Sequence, residues 1–241
     1  MPIPDPRSLL VAAALALGSS GAARADSETA TFDFSVSGIK AGQLTLDMTE
    51  DAGGAYSARS NIDAGGVVGV FLSFFYHGQS SGRVDGAGKV VPKRFEATSK
   101  TLGEVRRSSI DWKNGAPVTV SVVPPRKNMP DPAEQAGTLD PVSAGFAILR
   151  DAPPEQLCDR VLLVYDGSRV SRLTLGDRVP AKGGFTCVGS YARIKGAAHT
   201  LSSQREFPFD LVFATGSDGI AQLQRIETST GFGRAVLQRR L

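Results

Sequence analysis

The chain has 241 residues, a formal charge of +3 from 27 basic and 24 acidic side chains, 41% apolar residues and two cysteines. Its basic residues are scattered, Arg106-Arg107 and Arg239-Arg240 being the densest pairs, which excludes the continuous cationic stripe that tracks a phosphate backbone and so argues against a nucleic-acid partner. That apolar content is ample for one core, and an all-β chain of this size is commonly one domain.

Residues 1–25 read as a signal peptide: Arg7 gives the positive start, residues 9–17 an apolar core, and Ala23-Arg24-Ala25 a small-x-small cleavage site. Nine apolar residues are too few to span a bilayer as a helix. No cysteine follows the small residues, so no lipid anchor is expected, and the mature chain, residues 26–241, is expected as one exported, soluble β domain with no stable membrane anchor after cleavage. Cleavage removes Asp5, Arg7 and Arg24 and leaves a formal charge of +2.

From Phe32 onward the pattern is that of strands. Phe32, Phe34 and Val36 alternate with polar neighbours, residues 38–42 turn, and Leu44, Leu46 and Met48 alternate again; residues 56–62 make a third strand. Residues 65–76 are a nearly unbroken apolar run containing Phe71, Phe74 and Phe75. They fit a core strand or short helix under the sheet, or the lip of an apolar groove.

Gly78-Gln79-Ser80-Ser81-Gly82 matches the Gly-x-Ser-x-Gly pattern of a hydrolase nucleophile elbow. That elbow needs a strand-to-helix turn and a later histidine and acid, whereas here an Asp85-Gly86 turn leads to another strand and His199 is the sole downstream histidine. Strands follow at 90–98, 105–112 and 118–123, the last two joined by Asn114-Gly115. Residues 124–138 hold four prolines and no apolar period, which predicts an exposed, mobile connection.

Asp140 as N-cap, Pro141 at the first helical position and Val142, Phe146 and Leu149 at i, i+4, i+7 predict a short amphipathic helix over 140–150, ended by Pro153-Pro154. Residues 161–165 and 168–175 flank Asp166-Gly167 as a hairpin, and strands at 185–194, 207–213, 222–228 and 231–239 complete the chain. Phe207, Phe209, Leu211 and Phe213 recur at every second residue, so their common face is buried or lines a cavity.

Two cysteines in an exported chain are expected to pair, and closing the loop of 29 positions between Cys158 and Cys187 is worth about 3.5 kcal/mol on the chain-entropy estimate. A metal site would need further ligands, and His77 and His199 stand at no ligand spacing, so neither a metal nor any other cofactor is expected. One helix followed by a stapled hairpin inside a run of strands predicts a mainly β fold: a single curved antiparallel sheet or half-barrel with the helix on its concave side.

Several of these stretches resemble a family of bacterial exported proteins known as domain of unknown function 3108: the hairpin of residues 34–46, Leu139-Asp140-Pro141-Val142-Ser143, Cys158-Asp159-Arg160, the run Val164-Tyr165-Asp166-Gly167-Ser168-Arg169, Cys187 before Tyr191, and Arg225-Ile226-Glu227-Thr228. The resemblance covers nearly the whole mature chain. It departs at Leu223, where a nearby proline is expected, and at Ser168 and Val170, where arginines are. It implies a periplasmic address and a fold similar to that of periplasmic lipoprotein carriers, with no assigned activity.

With no convergent set of titratable groups, the chain is expected not to be an enzyme. The first functional reading is a non-enzymatic protein that binds a lipid-like ligand, or the apolar part of an envelope protein, against Phe71, Phe74, Phe75, Phe146, Phe207, Phe209, Leu211 and Phe213. The second is a structural or protein-interaction envelope protein with a filled core, and the third an esterase using Ser80.

Overall fold

A computed structural model describes residues 26–65, 74–196, 205–231 and 233–240. The proposed signal peptide, Phe71 and His199 lie outside the described residues. Thirteen strands among these residues form one antiparallel sheet that does not close: β1 (Asp26–Val36), β2 (Ile39–Glu50), β3 (Ala55–Ala64), β4 (Phe75–Val84), β5 (Val90–Thr101), β6 (Glu104–Lys113), β7 (Ala116–Val123), β8 (Arg160–Tyr165), β9 (Arg169–Ala181), β10 (Gly184–Gly196), β11 (Glu206–Thr215), β12 (Ala221–Thr230) and β13 (Gly233–Arg239). The sheet order is β7-β6-β5-β4-β3-β2-β1-β13-β12-β11-β10-β9-β8. The chain therefore starts in the middle of the sheet, meanders to one edge, crosses to the other edge and meanders back until β13 pairs with β1, Phe34 facing Leu237.

Alternation decides the faces. On β3 Tyr56, Ala58 and Ser60 are buried while Arg59 is exposed, and on β11 Leu211 and Phe213 are buried. Register shifts in several ladders, among them Ser81/Gly82, Cys187/Gly189 and Val212/Phe213, bend the strands and curve the sheet toward its buried face.

The crossover between β7 and β8 fills that concave side. Its helix α1 (Pro141–Leu149) starts at Asp140, whose Oδ1 accepts hydrogen bonds from the Val142 and Ser143 amides at 2.9 and 2.8 Å. It stops where Arg150 turns extended ahead of Pro153. The sequence pattern predicts one apolar stripe; the structure buries Ala144, Ala147 and Ile148 as well as Val142, Phe146 and Leu149. The reason is compositional: residues 141–149 carry no charge, so the helix can be enclosed nearly all round. Phe146 stacks on Tyr56 of β3 with ring centroids 4.6 Å apart, and burying a ring of this size contributes about 2–3 kcal/mol.

The connection 124–138 is exposed along much of its length, as predicted, but it also carries local structure and buried positions. Asp131 caps a short 3-10 turn at Pro132–Glu134, and Gln135 and Thr138 are buried. Leu139 then pairs in parallel with the free edge of β8: its amide donates to the Leu163 carbonyl at 2.8 Å and its carbonyl accepts from the Tyr165 amide at 2.7 Å. Pro124, Pro125 and Lys127 are exposed, while the buried Gln135 and Thr138 are satisfied by local hydrogen bonds that carry no hydrophobic period.

Cys158, just before β8, and Cys187 on β10 are disulfide-bonded with Cα atoms 5.6 Å apart. Because β9 separates their strands in the sheet order, the bond spans β9 and anchors the exit of the crossover to the wall of the half-barrel.

Candidate functional site

Two sets of polar residues meet inside the sheet. The first joins α1 to β3 and β4. Asp140 is fully buried, and its second oxygen, Oδ2, accepts from Ser80 Oγ at 2.8 Å and from the Ser143 hydroxyl. Ser80 and Ser143 are 2.8 Å apart, and Tyr56 Oη lies 2.6 Å from Ser143 Oγ. Burial pushes the Asp140 carboxyl up to about 6, and its four donors pull it back. Burial also raises the Tyr56 phenol, with the Asp140 charge adding to it.

This arrangement places the Gly-x-Ser-x-Gly stretch inside a continuous strand. Ser80 sits mid-way along β4 with its side chain toward the helix, while His77, three residues earlier, points to the opposite face and holds Asp63 at 2.8 Å. Among the described residues no histidine stands beside Ser80, and its hydroxyl is spoken for by a carboxylate, a hydroxyl and, at 3.1 Å, the Arg94 carbonyl. The geometry is that of a buried tie between helix and sheet. No group of three or more potential metal ligands occurs among the described residues.

The second set lies where the two sheet edges approach each other. The turn after β8 is held by Asp166 Oδ1, which accepts from the Ser168 and Arg169 amides at 2.7 and 2.8 Å and from Ser168 Oγ at 2.8 Å. Gly167 has φ of 88°, and a Cβ there would stand 2.8 Å from Val122 Cγ2 of β7. Glycine is needed for both the backbone conformation and the contact. Through that contact the β8–β9 hairpin rests on β7.

Beside it opens a cavity of about 290 Å³ lined by Phe74, Tyr76, Phe95, Arg106, Arg126, Asp166 and Arg169, among others. Arg106 is buried, its guanidinium held by the Pro124 carbonyl and the Glu104 carboxylate. Arg169 lies 3.4 Å from Asp166. Arg126 comes from the crossover; burial lowers its pKa, and the charges of Arg106 and Arg169 lower it further. Asp166 and Arg169 also border a second space, of about 210 Å³, between α1 and β8–β10, whose walls include Ala144, Gly145, Ile148, Val164, Leu173 and Tyr191. This one is largely apolar, and Ser171 Oγ donates to the Tyr191 hydroxyl at 2.7 Å on its wall.

The residues expected to line an apolar cavity are therefore dispersed. Phe74 lines the mouth cavity. Phe146, Leu211 and Phe213 belong to the packed core, Phe213 stacking on Phe185 at 5.0 Å. Phe209 packs against that core over Gly189, Phe207 is half-buried opposite Tyr191, and Phe75 stacks with His77 at 4.9 Å. Alternation identifies the buried face of a strand but does not distinguish packed rings from a cavity wall. The space that remains is bounded instead by small helix residues and by arginines.

Those arginines escape a reading based on charge clusters, since they come from β6, the crossover and β9. One signal was present: Arg106 falls on the same alternation as Ile110 and Trp112, so a charged residue occupies an inward position of a predicted strand.

No helix among the described residues is long and apolar enough to cross a membrane. No family model matches the chain, and no curated protein matches it. Among solved structures, it is similar to the crystal structure of a β-barrel-like protein of domain of unknown function DUF1849 from Brucella abortus, at a TM-score of 0.47 and 15% identity over 91% of this chain and 98% of that one.

Proposed function

We propose that the chain is an exported, periplasmic member of the group that resembles domain of unknown function 3108, and that it acts without catalysis by holding a small apolar ligand, such as an acyl chain, or the apolar part of an envelope partner. The observation that carries this reading is the apolar space between α1 and β8–β10. The disulfide accords with an oxidising compartment. One side of the space is an uncharged helix that presents Ala144, Ile148 and its two half-open positions, Pro141 and Gly145.

Gly145 supplies the test. A Cβ there would meet nothing closer than Leu149 Cδ1 at 3.9 Å, so a side chain can leave the backbone at this point without collision. Gly145→Leu also gains about 1 kcal/mol of helix propensity. Titrated with dodecanol, the mature protein is expected to bind at micromolar levels, and Gly145→Leu to bind at least tenfold more weakly without losing thermal stability. Native mass spectrometry of protein taken from the periplasm should show a bound lipid-sized mass. Absence of that mass together with no dodecanol binding would overturn the reading.

A second reading, a scaffold with a filled core that works through its outer surface, is favoured by a polar trough of about 590 Å³ on the other face of β3–β7, where Arg59, Asn61, His77, Gln79, Glu96 and Arg107 stand together. It predicts that Arg59→Glu with Arg107→Glu abolishes a specific cross-link to a periplasmic partner while Gly145→Leu leaves it intact.

A further inference from the structure

The proposed apolar site has a charged neighbour that it does not use. Asp166 and Arg169 stand on the border of both spaces, so the apolar space beside α1 adjoins the cavity that holds Arg106 and Arg126 across this pair. Three guanidinium groups from separate parts of the fold line that cavity, with Asp166 as its lining carboxylate. Arg106 already has Glu104 and a backbone carbonyl, and Arg169 lies beside Asp166.

Arg126 adds a third positive charge, and its Nε is buried without a hydrogen-bond partner. Tyr76, whose hydroxyl is a further buried group without a partner, also lines the cavity. Like charges gathered in a partly buried space destabilise the fold, and unpaired buried donors add to that cost, unless something anionic completes them. A planar guanidinium fork matches the oxygens of a carboxylate or a phosphate.

We propose that the bound ligand is an anionic single-chain amphiphile whose oxyanion head sits against Arg126 and the Arg169–Asp166 border, with its chain entering the space beside Gly145 and Leu173. The proposal rests on the apolar-ligand reading above and names the chemical class of that ligand. It also gives the pair of spaces one purpose: each is too small for a large ligand by itself, and together they match a molecule with two unlike ends.

The test is calorimetric titration of the mature wild-type protein and of Arg126→Gln with laurate, dodecyl phosphate, dodecanol and inorganic phosphate at low and physiological salt. Laurate or dodecyl phosphate should bind at least tenfold more tightly than dodecanol. Arg126→Gln should remove that advantage, leave dodecanol binding unchanged and, by relieving like-charge repulsion, leave the thermal midpoint no lower than in wild type. Equal binding of laurate, dodecyl phosphate and dodecanol, all insensitive to Arg126→Gln, overturns the anionic head and leaves the apolar reading standing. Failure of every chain-bearing probe overturns both. Inorganic phosphate binding as tightly as dodecyl phosphate, and lost in Arg126→Gln, identifies a free-anion site and overturns the amphiphile. Arg126→Lys is the second variant: it keeps the charge and loses the fork, and should retain part of the preference for the anionic probes.

Discussion

Ser80 Oγ donates a hydrogen bond to Asp140 Oδ2 at 2.8 Å, although sixty residues separate them and both side chains are buried. The bond joins the middle of a strand to the cap of the helix that the sheet encloses. Ser80→Ala removes a donor from a buried carboxylate, and should cost about 1–3 kcal/mol in urea unfolding while the far-ultraviolet spectrum stays that of the native sheet. Because this hydroxyl lowers the Asp140 pKa, the same substitution should raise it. An unchanged midpoint would show that Ser143 alone satisfies Asp140.

The pH dependence of stability follows from groups whose folded pKa lies above the unfolded value. Asp140 is raised from 3.8 to about 6 by burial, and Glu28 from 4.5 to about 7 by burial with the Asp151 carboxylate close by. In the interval between unfolded and folded values the native state binds more protons than the unfolded chain, so stability falls as pH rises: from about 4 to 6 for Asp140 and from about 4.5 to 7 for Glu28. Each such group contributes up to about 1.4 kcal/mol per pH unit within its window. Asp140→Asn keeps an oxygen for the Val142 and Ser143 amides and removes one titration. Urea midpoints measured from pH 4 to 7 should accordingly slope less in this variant below pH 6, and an identical slope would remove Asp140 from the account.

At lower pH the opposite sign takes over. The Arg240 guanidinium, with Lys40, holds the exposed Asp33 carboxyl down at about 2, so its share of stability is present above pH 3.8 and is lost toward pH 2. Charge screening limits that share, and adding salt at pH 4 to 5 should reduce it.

Reducing the Cys158–Cys187 bond frees a loop of 29 positions in the unfolded chain. The expected loss is on the order of 3 kcal/mol, seen as a lower urea midpoint after treatment with a reductant or in Cys158→Ser with Cys187→Ser. The fold should persist, because the ladder of β9 with both neighbours and the core around Leu211, Phe213 and Leu223 do not depend on the bond. Complete unfolding on reduction would show that the bond holds the crossover in place.

Gly167→Ala tests the contact between the two sheet edges. The positive φ and the approach to Val122 should together cost about 1–3 kcal/mol. Val122→Ala removes the colliding methyl groups, so the double variant should lose less stability than the two single losses added together. Simple additivity would show that the hairpin does not press on β7.

Most of the strands, the helix and the hairpins were legible in the sequence because each rests on a local cause; β4, whose glycines and serines carry no apolar alternation, was not. Alternation at Phe32, Phe34 and Val36 or from Phe207 to Phe213 marks a strand face, Asp140-Pro141 starts a helix, and Asp166-Gly167 permits a tight turn. The two cysteines in a strand-rich chain likewise pointed to each other. What tertiary structure decided is everything that depends on which faces meet. Ser80 reads as a nucleophile elbow in one dimension and becomes a buried tie once β4 runs on as a strand through it and Asp140 lies over it. The rings from Phe146 to Phe213 read equally well as cavity lining or as packing, since periodicity reports burial and not the space beyond it; the packed core settles the matter for Phe146, Leu211 and Phe213. The arginines of the mouth are separated by 20 and 43 positions along the chain, and they share one cavity because the sheet curls until its β7 and β8 edges approach each other, an outcome no local pattern encodes.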